Sequence, residues 1–274
     1  MDKRADLHIH TTASDGTWTP SYAVEAAASI GLAAIGITDH DTVAGVEEAL
    51  DAGARHGVEI VPGIEISATH DDGTEVHILG YYIDHTNAEL AGFQSMLASA
   101  RQDRARKMVE LLNSAGVAVK WERVAELARG GAIGRPHVAK AICEVGAASS
   151  MDAAFGMYIK DDGPFCVPRL VISLEEAIGI IHGASGLACC AHVAKLKRDD
   201  LVIRLIDAGI SAIEVWHPDH TKTGSQFYEK FACDRGLVAT GGSDAHGFDT
   251  SRTGTIGEVT VPYDVVEQLK ALAL

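Results

Sequence analysis

Two histidines separated by one residue stand in the first predicted strand of the chain. Residues 5–10 alternate between apolar and polar side chains, the period of a β-strand whose side chains point to opposite faces in turn. His8 and His10 therefore project from one face, where two imidazoles can bind one metal ion, and Asp15 follows in a polar loop. A single His-x-His pair more often belongs to a half-buried strand in which the imidazoles only form hydrogen bonds. Metal binding is therefore favoured only if further ligand-type residues reach the same place.

Further histidines and carboxylates stand where other predicted strands end. Alternating strands and helices are typical of parallel βα units, and the carboxyl ends of their strands converge on one barrel mouth where active sites are built. The predicted strands are 5–10, 32–37, 58–67, 74–83, 187–191, 212–215 and 237–240. At or just beyond their ends lie six histidines and three carboxylates: His8, His10, Asp15, His40, Glu65, His77, His192, Asp244 and His246.

Nine such residues at one mouth are too many for packing or for pH sensing. Imidazole together with carboxylate ligands selects borderline transition metals such as Zn²⁺, Mn²⁺ or iron. Nine ligands supply two or three ions once one carboxylate bridges. The sequence therefore predicts a centre of two or three divalent Mn, Zn or Fe ions.

Size, charge and cysteine content limit the classes of protein that the chain can belong to. It has 274 residues, and α/β barrels of roughly 250 residues commonly form one domain. The net charge of −15 argues against broad binding to a nucleic-acid backbone, but allows a short phosphorylated ligand at a locally positive pocket. Five cysteines without framework spacing favour the reducing cytoplasm. Neither a signal peptide nor an apolar run of roughly 20 residues is expected.

The strand–helix alternation fails in the middle of the chain. Residues 94–165 read as helices without convincing strands, so we expect a helical insertion there and a barrel formed by 1–93 plus 166–274. Basic residues on such helices usually lie on a solvated face. Arg135 and His137, beside a Gly-x-Pro turn, are the two that we consider further.

The ligand-type residues occupy six short motifs in a fixed order: His8-x-His10 with Ser14-Asp15-Gly16, Thr38-Asp39-His40-Asp41, Pro62-Gly63-Ile64-Glu65, His77, Ala191-His192, and Gly242-Ser243-Asp244-Ala245-His246. This succession resembles the PHP (polymerase and histidinol phosphatase) family over nearly the whole chain. The resemblance implies an α/β fold, a distorted seven-stranded (βα) barrel with a helical insertion and a trinuclear metal centre. Val193 stands where the family often has a proline, which shapes a turn and is not a ligand.

The resemblance also implies a role for each ligand. The first ion would be held by His8, His10, Glu65 and Asp244, the second by Glu65 as a bridge with His77 and His192, and the third by Asp15, His40 and His246. Among these, Glu65, Asp244 and His192 are the expected catalytic residues.

The charge of such a centre suits a phosphate monoester. The charge of three divalent ions exceeds that of three carboxylates. A water shared by two ions becomes hydroxide near neutral pH, and cationic groups neutralise the phosphoryl oxygens.

Three residues are candidates for substrate contact. Arg135 is a candidate phosphate clamp, since guanidinium matches phosphate bidentately, unless it is a surface residue paired with an acidic neighbour. His137 and His217 are candidates for phosphate contact or leaving-group protonation. His217 equally fits a surface loop residue.

Within the family, the length, the insertion and the segment Gly134-Arg135-Pro136-His137 resemble stand-alone phosphoesterases that act on nucleotides. That group includes 3′,5′-nucleoside bisphosphate phosphatases and enzymes that trim short RNA from the 5′ end. The alternatives are a histidinol phosphate phosphatase and a non-catalytic metal-binding barrel that serves a partner. We expect a nucleotide or at most a short oligonucleotide as ligand, no membrane association and no obligate protein partner.

Overall fold

The computed structural model describes residues 3–128, 133–160, 163–247 and 254–273. The strands are β1 (Arg4–Ile9), β2 (Ala34–Ile37), β3 (Glu59–Thr69), β4 (Glu75–Tyr81), β5 (Leu187–Cys190), β6 (Ala212–Trp216), β7 (Val238–Gly241) and β8 (Val261–Pro262). The helices are α1 (Pro20–Ser29), α2 (Val46–His56), α3 (Ala88–Ser114), α4 (Trp121–Leu127), α5 (Arg135–Glu144), α6 (Met151–Ala154), α7 (Leu174–Gly183), α8 (Val193–Leu196), α9 (Asp199–Asp207), α10 (Lys222–Arg235) and α11 (Tyr263–Ala273). None of the helices among these residues is long and apolar enough to cross a membrane.

The strands form one sheet that curls into a nearly closed barrel. Their order is β7-β6-β5-β4-β3-β2-β1-β8, and a parallel bridge between Ile9 and Ala245 joins the end of β1 to the segment after β7. The expectation of seven strands misses β8, which pairs antiparallel with β1. β8 has only two residues, too few to give a periodic signal in the sequence.

The direction of β4 differs from the parallel arrangement that the sequence suggested. β4 pairs antiparallel with both β3 and β5, while β1–β2–β3 and β5–β6–β7 are parallel. Only a short turn separates β3 from β4, so the chain must reverse, because a parallel pair needs a crossover of a dozen or more residues. His77, near the start of β4, consequently pairs with Ser67 near the end of β3 and reaches the barrel mouth.

The Pro62-Gly63 step lies inside β3 without interrupting the strand. β3 pairs with β2 as far as Pro62 and with β4 from Gly63 onward. The strand thus changes its hydrogen-bonded neighbour at the residue that lacks an N–H, so no ladder bond is lost there.

Local sequence signals fix several helix ends as expected. Thr19 caps α1 by accepting a hydrogen bond from the Tyr22 N–H, and Pro20 is the first helical residue. Ser173 and Glu176 form a reciprocal capping box at the start of α7. The last helix among the described residues, α11, begins directly after β8, and Leu274 lies outside the described residues.

The chain divides into two compact units. One consists of Met1–Ala91 and Ile172–Leu274 and contains the whole sheet, and the other is Gly92–Val171. In the first unit, α1 and α2 pack their apolar faces on the outer side of β1 to β3, burying Val24, Ile35 and Val46. The second unit is helical and has its own core around Met108, Leu112 and Ile142. Its helix α6 continues into a π-helical turn, Phe155–Ile159.

Glycine at position 242 allows the segment after β7 to lie directly against β1. A Cβ there would come within 2.4 Å of the His8 Cβ and 2.5 Å of the His8 amide nitrogen. Overpacking of this kind typically costs about 1–3 kcal/mol. We expect Gly242→Ala to lower the free energy of unfolding by at least that amount in urea titrations.

Gly179→Ala in α7 is the matched control: its Cβ meets no atom within 4 Å, so unchanged or slightly higher stability is expected. Equal stability of the two variants would contradict the close approach.

Candidate metal centre

The nine ligand-type residues lie at one end of the barrel. His8, Glu65 and His77 stand on strands, and the remaining six stand in the segments after them: His10, Asp15, His40, His192, Asp244 and His246. Backbone pairing continues past β2, because His40 forms a parallel bridge with Glu65. The antiparallel β3–β4 pair brings His77 to the same end. The structure therefore brings together all the residues that the sequence grouped.

Glu65 lies at the centre of this cluster. Its carboxylate is 1% exposed, and its oxygens lie 2.9 Å from His77 Nδ1 and 2.9 Å from His40 Nδ1. Five imidazoles have a nitrogen within 3.6 Å of this carboxylate: His8, His10, His40, His77 and His192. This position suits a group shared between two cations.

Two further carboxylates flank the centre. Asp244 Oδ1 lies 3.1 Å from His10 Nε2 and 3.4 Å from His8 Nε2. On the opposite side, Asp15 Oδ1 lies 3.4 Å from His246 Nε2 and 3.8 Å from His10 Nδ1. His10 therefore stands between the two carboxylates, and its ring stacks on that of His246 with centroids 4.1 Å apart.

The donor atoms form three overlapping groups, each with its atoms within 4.8 Å of one another. The groups are His8, His10 and Glu65; His40, Glu65 and His77; and His10, Asp15, His40 and His246. His10 and His40 each belong to two groups, whereas the sequence assigned each of them to one. Asp244 and His192 lie outside these groups, although both contact their members.

These residues fit a set of divalent cations. His10 Nδ1 is buried and has no hydrogen-bond partner among the residues that the structure describes, a costly state for a polar atom unless another ligand meets it. Imidazole and carboxylate donors are those that Zn, Mn and Fe prefer. The residues present therefore match the metal dependence that the sequence predicted.

Burial and charge act against each other in this cluster. Burial raises the pKa of Glu65, but the imidazoles of His40 and His77 outweigh it and hold the pKa well below the usual range. Burial lowers the pKa of His8, but the carboxylates of Glu214 and Asp244 outweigh it and raise the pKa well above its ordinary value. Burial also lowers the pKa of His10. The carboxylates of Asp244 and Glu65 offset this effect only in part, so the pKa falls to about 3. The carboxylates are therefore ionised and available to cations.

Three residues at the mouth adopt left-handed backbone conformations that side chains other than glycine rarely occupy. Asp41, His192 and Asp244 have φ values of 54°, 32° and 50°. Such conformations cost about 1–3 kcal/mol each and persist where the surrounding structure holds them, commonly at functional sites.

Buried carboxylates outside the ligand set hold the loops that carry ligands. Asp39 accepts hydrogen bonds from the Thr11 N–H and the Ser14 hydroxyl, which fixes the loop leading to Asp15. Asp6 accepts from both the N–H and the hydroxyl of Ser243, next to Asp244. Burial raises the pKa of Asp6 to about 6.

A third buried carboxylate, Glu214 on β6, contacts His8 directly. Its Oε1 accepts from His8 Nδ1 at 3.0 Å. Burial raises the pKa of Glu214, but the His8 charge outweighs it and lowers the pKa. Sequence reasoning assigned no role to Glu214, Asp6 or Asp39. The sequence offers one signal for such a role, an acidic residue inside an otherwise apolar strand, as Glu214 is in the segment Ala212–Trp216.

His217 belongs to the cluster rather than to a surface loop. It is 4% exposed, and its Nε2–H donates to Asp244 Oδ2 at 3.3 Å. Its ring lies 5.5 Å from that of His192 between centroids. The surface alternative for His217 is therefore wrong.

Arg135 and His137 both begin α5 in the helical unit. His137 Nδ1 accepts a hydrogen bond from the Gly134 N–H, so this imidazole satisfies the start of its own helix. Arg135 Nη1 lies 3.5 Å from the Ile159 carbonyl oxygen, and its guanidinium lies 6.0 Å from the centre of the Phe155 ring. A small cavity in this unit is lined by three arginines, Arg101, Arg104 and Arg135.

Comparison with known proteins gives a consistent result. The model of the PHP domain family matches residues 6–133. The 5′-3′ exoribonuclease Rnm of Salmonella typhimurium is 34% identical over 88% of this chain and 84% of its own length. The 3′,5′-nucleoside bisphosphate phosphatase of Chromobacterium violaceum is 34% identical over 88% of this chain and 86% of its own length.

Two further proteins extend this set. The phosphoribosyl 1,2-cyclic phosphate 1,2-diphosphodiesterase of Eggerthella lenta is 33% identical over 88% of this chain and 94% of its own length. The crystal structure of a putative metal-dependent phosphoesterase from Bifidobacterium adolescentis superposes with a TM-score of 0.80 and 32% identity, covering 97% of this chain and 95% of the other.

Proposed function

Because the chain belongs to the PHP domain family and is a metal-dependent phosphoester hydrolase, we propose that it removes a phosphate from a nucleotide. The proposed substrate is a 3′,5′-nucleoside bisphosphate or a short 5′-phosphorylated oligonucleotide. Two relatives named for nucleotide and RNA substrates, each covering most of the chain, support this choice.

The observation that carries the proposal is the environment of Glu65. A fully buried carboxylate in contact with five imidazoles from four strand ends suits a group that bridges cations. We propose three divalent ions, Mn, Zn or Fe, with the ligands assigned from the sequence: His8, His10, Asp15, His40, Glu65, His77, His192, Asp244 and His246. Divalent ions held there would supply Lewis acidity and lower the pKa of the attacking water.

The chain's own residues then orient substrate and protons. Asp244 lies between His10 and His217 and fixes the direction of both rings through its two oxygens. His217 is thereby positioned to carry a proton at Nε2, and we assign it phosphate contact or protonation of the leaving group.

The helical unit, Gly92–Val171, is proposed to contribute substrate contacts. Arg135 would bind the second phosphate of a bisphosphate, or the far side of the transferred one, with two parallel hydrogen bonds. His137 already accepts a hydrogen bond at Nδ1, which leaves Nε2 for a substrate oxygen. The cytoplasmic location remains a prediction.

We expect phosphate release with Mn²⁺ to be fastest on adenosine 3′,5′-bisphosphate, slower on AMP and slowest on histidinol phosphate. In Arg135→Ala, kcat/KM on the bisphosphate should fall with unchanged metal content. A charge-assisted hydrogen bond is worth about 1.5–3 kcal/mol, which corresponds to roughly 10- to 150-fold at 1.36 kcal/mol per decade. Steady-state kinetics on the three substrates measure both effects.

Arg123→Ala is the matched control for this experiment. Arg123 lies in the same helical unit, and its guanidinium binds the carboxylates of Glu126 and Glu144, so its removal should leave kcat/KM unchanged. A wild-type preference for histidinol phosphate would support the alternative phosphatase. Absence of hydrolysis on every substrate tried, with metal bound, would support a non-catalytic barrel.

A further inference from the structure

Glu214 occupies an unusual position for a charged residue. It stands in the middle of β6 between Ile213 and Val215, and its side chain is fully buried. A buried carboxylate destabilises a protein unless hydrogen bonds and opposite charge compensate it. An acidic side chain therefore stands where an apolar one would pack, and its hydrogen bonds indicate its role.

Each oxygen of Glu214 accepts a hydrogen bond from a different candidate ligand. Oε1 lies 3.0 Å from His8 Nδ1, and Oε2 accepts from the backbone N–H of His192 at 2.6 Å. His8 belongs to β1, whereas His192 follows β5. One carboxylate thus connects two separate ligand-bearing segments of the barrel mouth.

The contact with His8 determines which ring nitrogen faces the centre. With Nδ1–H donating to Glu214, Nε2 is directed toward Glu65 and Asp244, at 3.6 Å and 3.4 Å. A carboxylate behind a ligating imidazole fixes its orientation and raises its basicity as a ligand.

The contact with His192 acts on the backbone. His192 has φ 32° and ψ 51°, a left-handed conformation that is costly for side chains other than glycine. The short hydrogen bond to Glu214 helps to hold this conformation, and with it the direction in which the imidazole leaves the chain toward Glu65, 3.4 Å away.

We propose that Glu214 is a positioning residue that fixes His8 and His192 together for metal binding. The inference rests on the proposed metal centre and adds a residue that touches neither substrate nor the reacting atoms.

Glu214→Gln is a sharp test because an amide cannot replace both contacts. Its single oxygen can accept from His8 or from His192, while its NH₂ group must face the other donor. We expect chelator competition with Zn²⁺ to show a 10- to 100-fold weaker apparent affinity, the usual loss for a partner of a metal ligand.

Glu59→Gln is the matched control. Glu59 is a carboxylate on β3 that accepts from the hydroxyls of Tyr82 and Tyr263, outside the metal cluster, so its Zn²⁺ affinity should not change.

A double-mutant cycle with His8→Gln separates positioning from a general structural role. If Glu214 acts through His8, Glu214→Gln should cost less Zn²⁺ affinity in the His8→Gln background than in the wild type. Additive losses, or a loss of unfolding free energy with unchanged affinity, would overturn the proposal.

If Glu214→Gln does not fold, the wild type still supplies a test. In the Zn²⁺-loaded, ¹⁵N-labelled protein, His8 Nδ1 should carry a slowly exchanging proton, with the resonance assigned by its absence in His8→Gln. An unprotonated Nδ1 would overturn the positioning role. Failure of the metal centre itself gives a different result, since the wild type and every variant would then bind Zn²⁺ equally weakly.

Discussion

Glu65→Gln should reduce phosphoester hydrolysis by on the order of 100-fold or more, since loss of a mere partner of a metal ligand typically costs 10–100-fold. The physical reason is the position of the carboxylate, which contacts five imidazoles and is buried among them. Glutamine keeps the size but removes the charge, so two cations would lose a common anionic ligand. Activity at saturating Mn²⁺ and metal content by elemental analysis measure the effect together.

Glu59→Gln is a suitable control for Glu65→Gln. Glu59 also lies on β3, but its carboxylate accepts hydrogen bonds from the hydroxyls of Tyr82 and Tyr263, outside the metal cluster. We expect its replacement to have a much smaller effect. Similar activity in the two variants, with both retaining metal, would remove Glu65 from the proposed bridging position.

Removal of divalent cations should abolish hydrolysis and lower Tm, and Mn²⁺ should restore both. A ligand present at about 1,000 times its Kd stabilises the folded state by about 4.1 kcal/mol. At about 2–4 °C per kcal/mol for a unit of this size, the expected difference in Tm is on the order of 8–16 °C. Differential scanning calorimetry of chelator-treated and Mn²⁺-reloaded protein measures this difference.

Elemental analysis of the reloaded protein should give close to three ions per chain. The Glu65→Gln variant controls for non-specific effects of Mn²⁺, because its Tm should rise much less on reloading. A reproducible stoichiometry near one would contradict the trinuclear assignment, and unchanged Tm and activity after chelation would contradict metal dependence in this chain.

Local sequence patterns determined the elements and the chemical character of the mouth. Alternation over residues 5–10 places His8 and His10 on one face of a strand, because side-chain direction in a strand repeats every two residues. The Thr19-Pro20 cap and the Ser173–Glu176 capping box act within one helical turn, so they can be recognised without the tertiary structure. The residue types at the strand ends by themselves indicate transition-metal binding.

Only the tertiary structure decided how strands meet and which polar groups become partners. The antiparallel direction of β4 and the pairing of β8 with β1 depend on contacts between separate segments, which periodicity does not encode. His217 is buried because Asp244, 27 residues away in sequence, lies beside it.

The partners of Glu214, too, are decided only by the tertiary structure. Its position inside an apolar strand is visible in the sequence, but its partner His8 is 206 residues away. Whether a buried carboxylate destabilises the fold or orients a ligand depends on the donors that meet its oxygens. Those donors meet Glu214 only when the sheet curls so that the segment after β7 pairs with the end of β1 and β6, the neighbour of β7, comes within reach of His8.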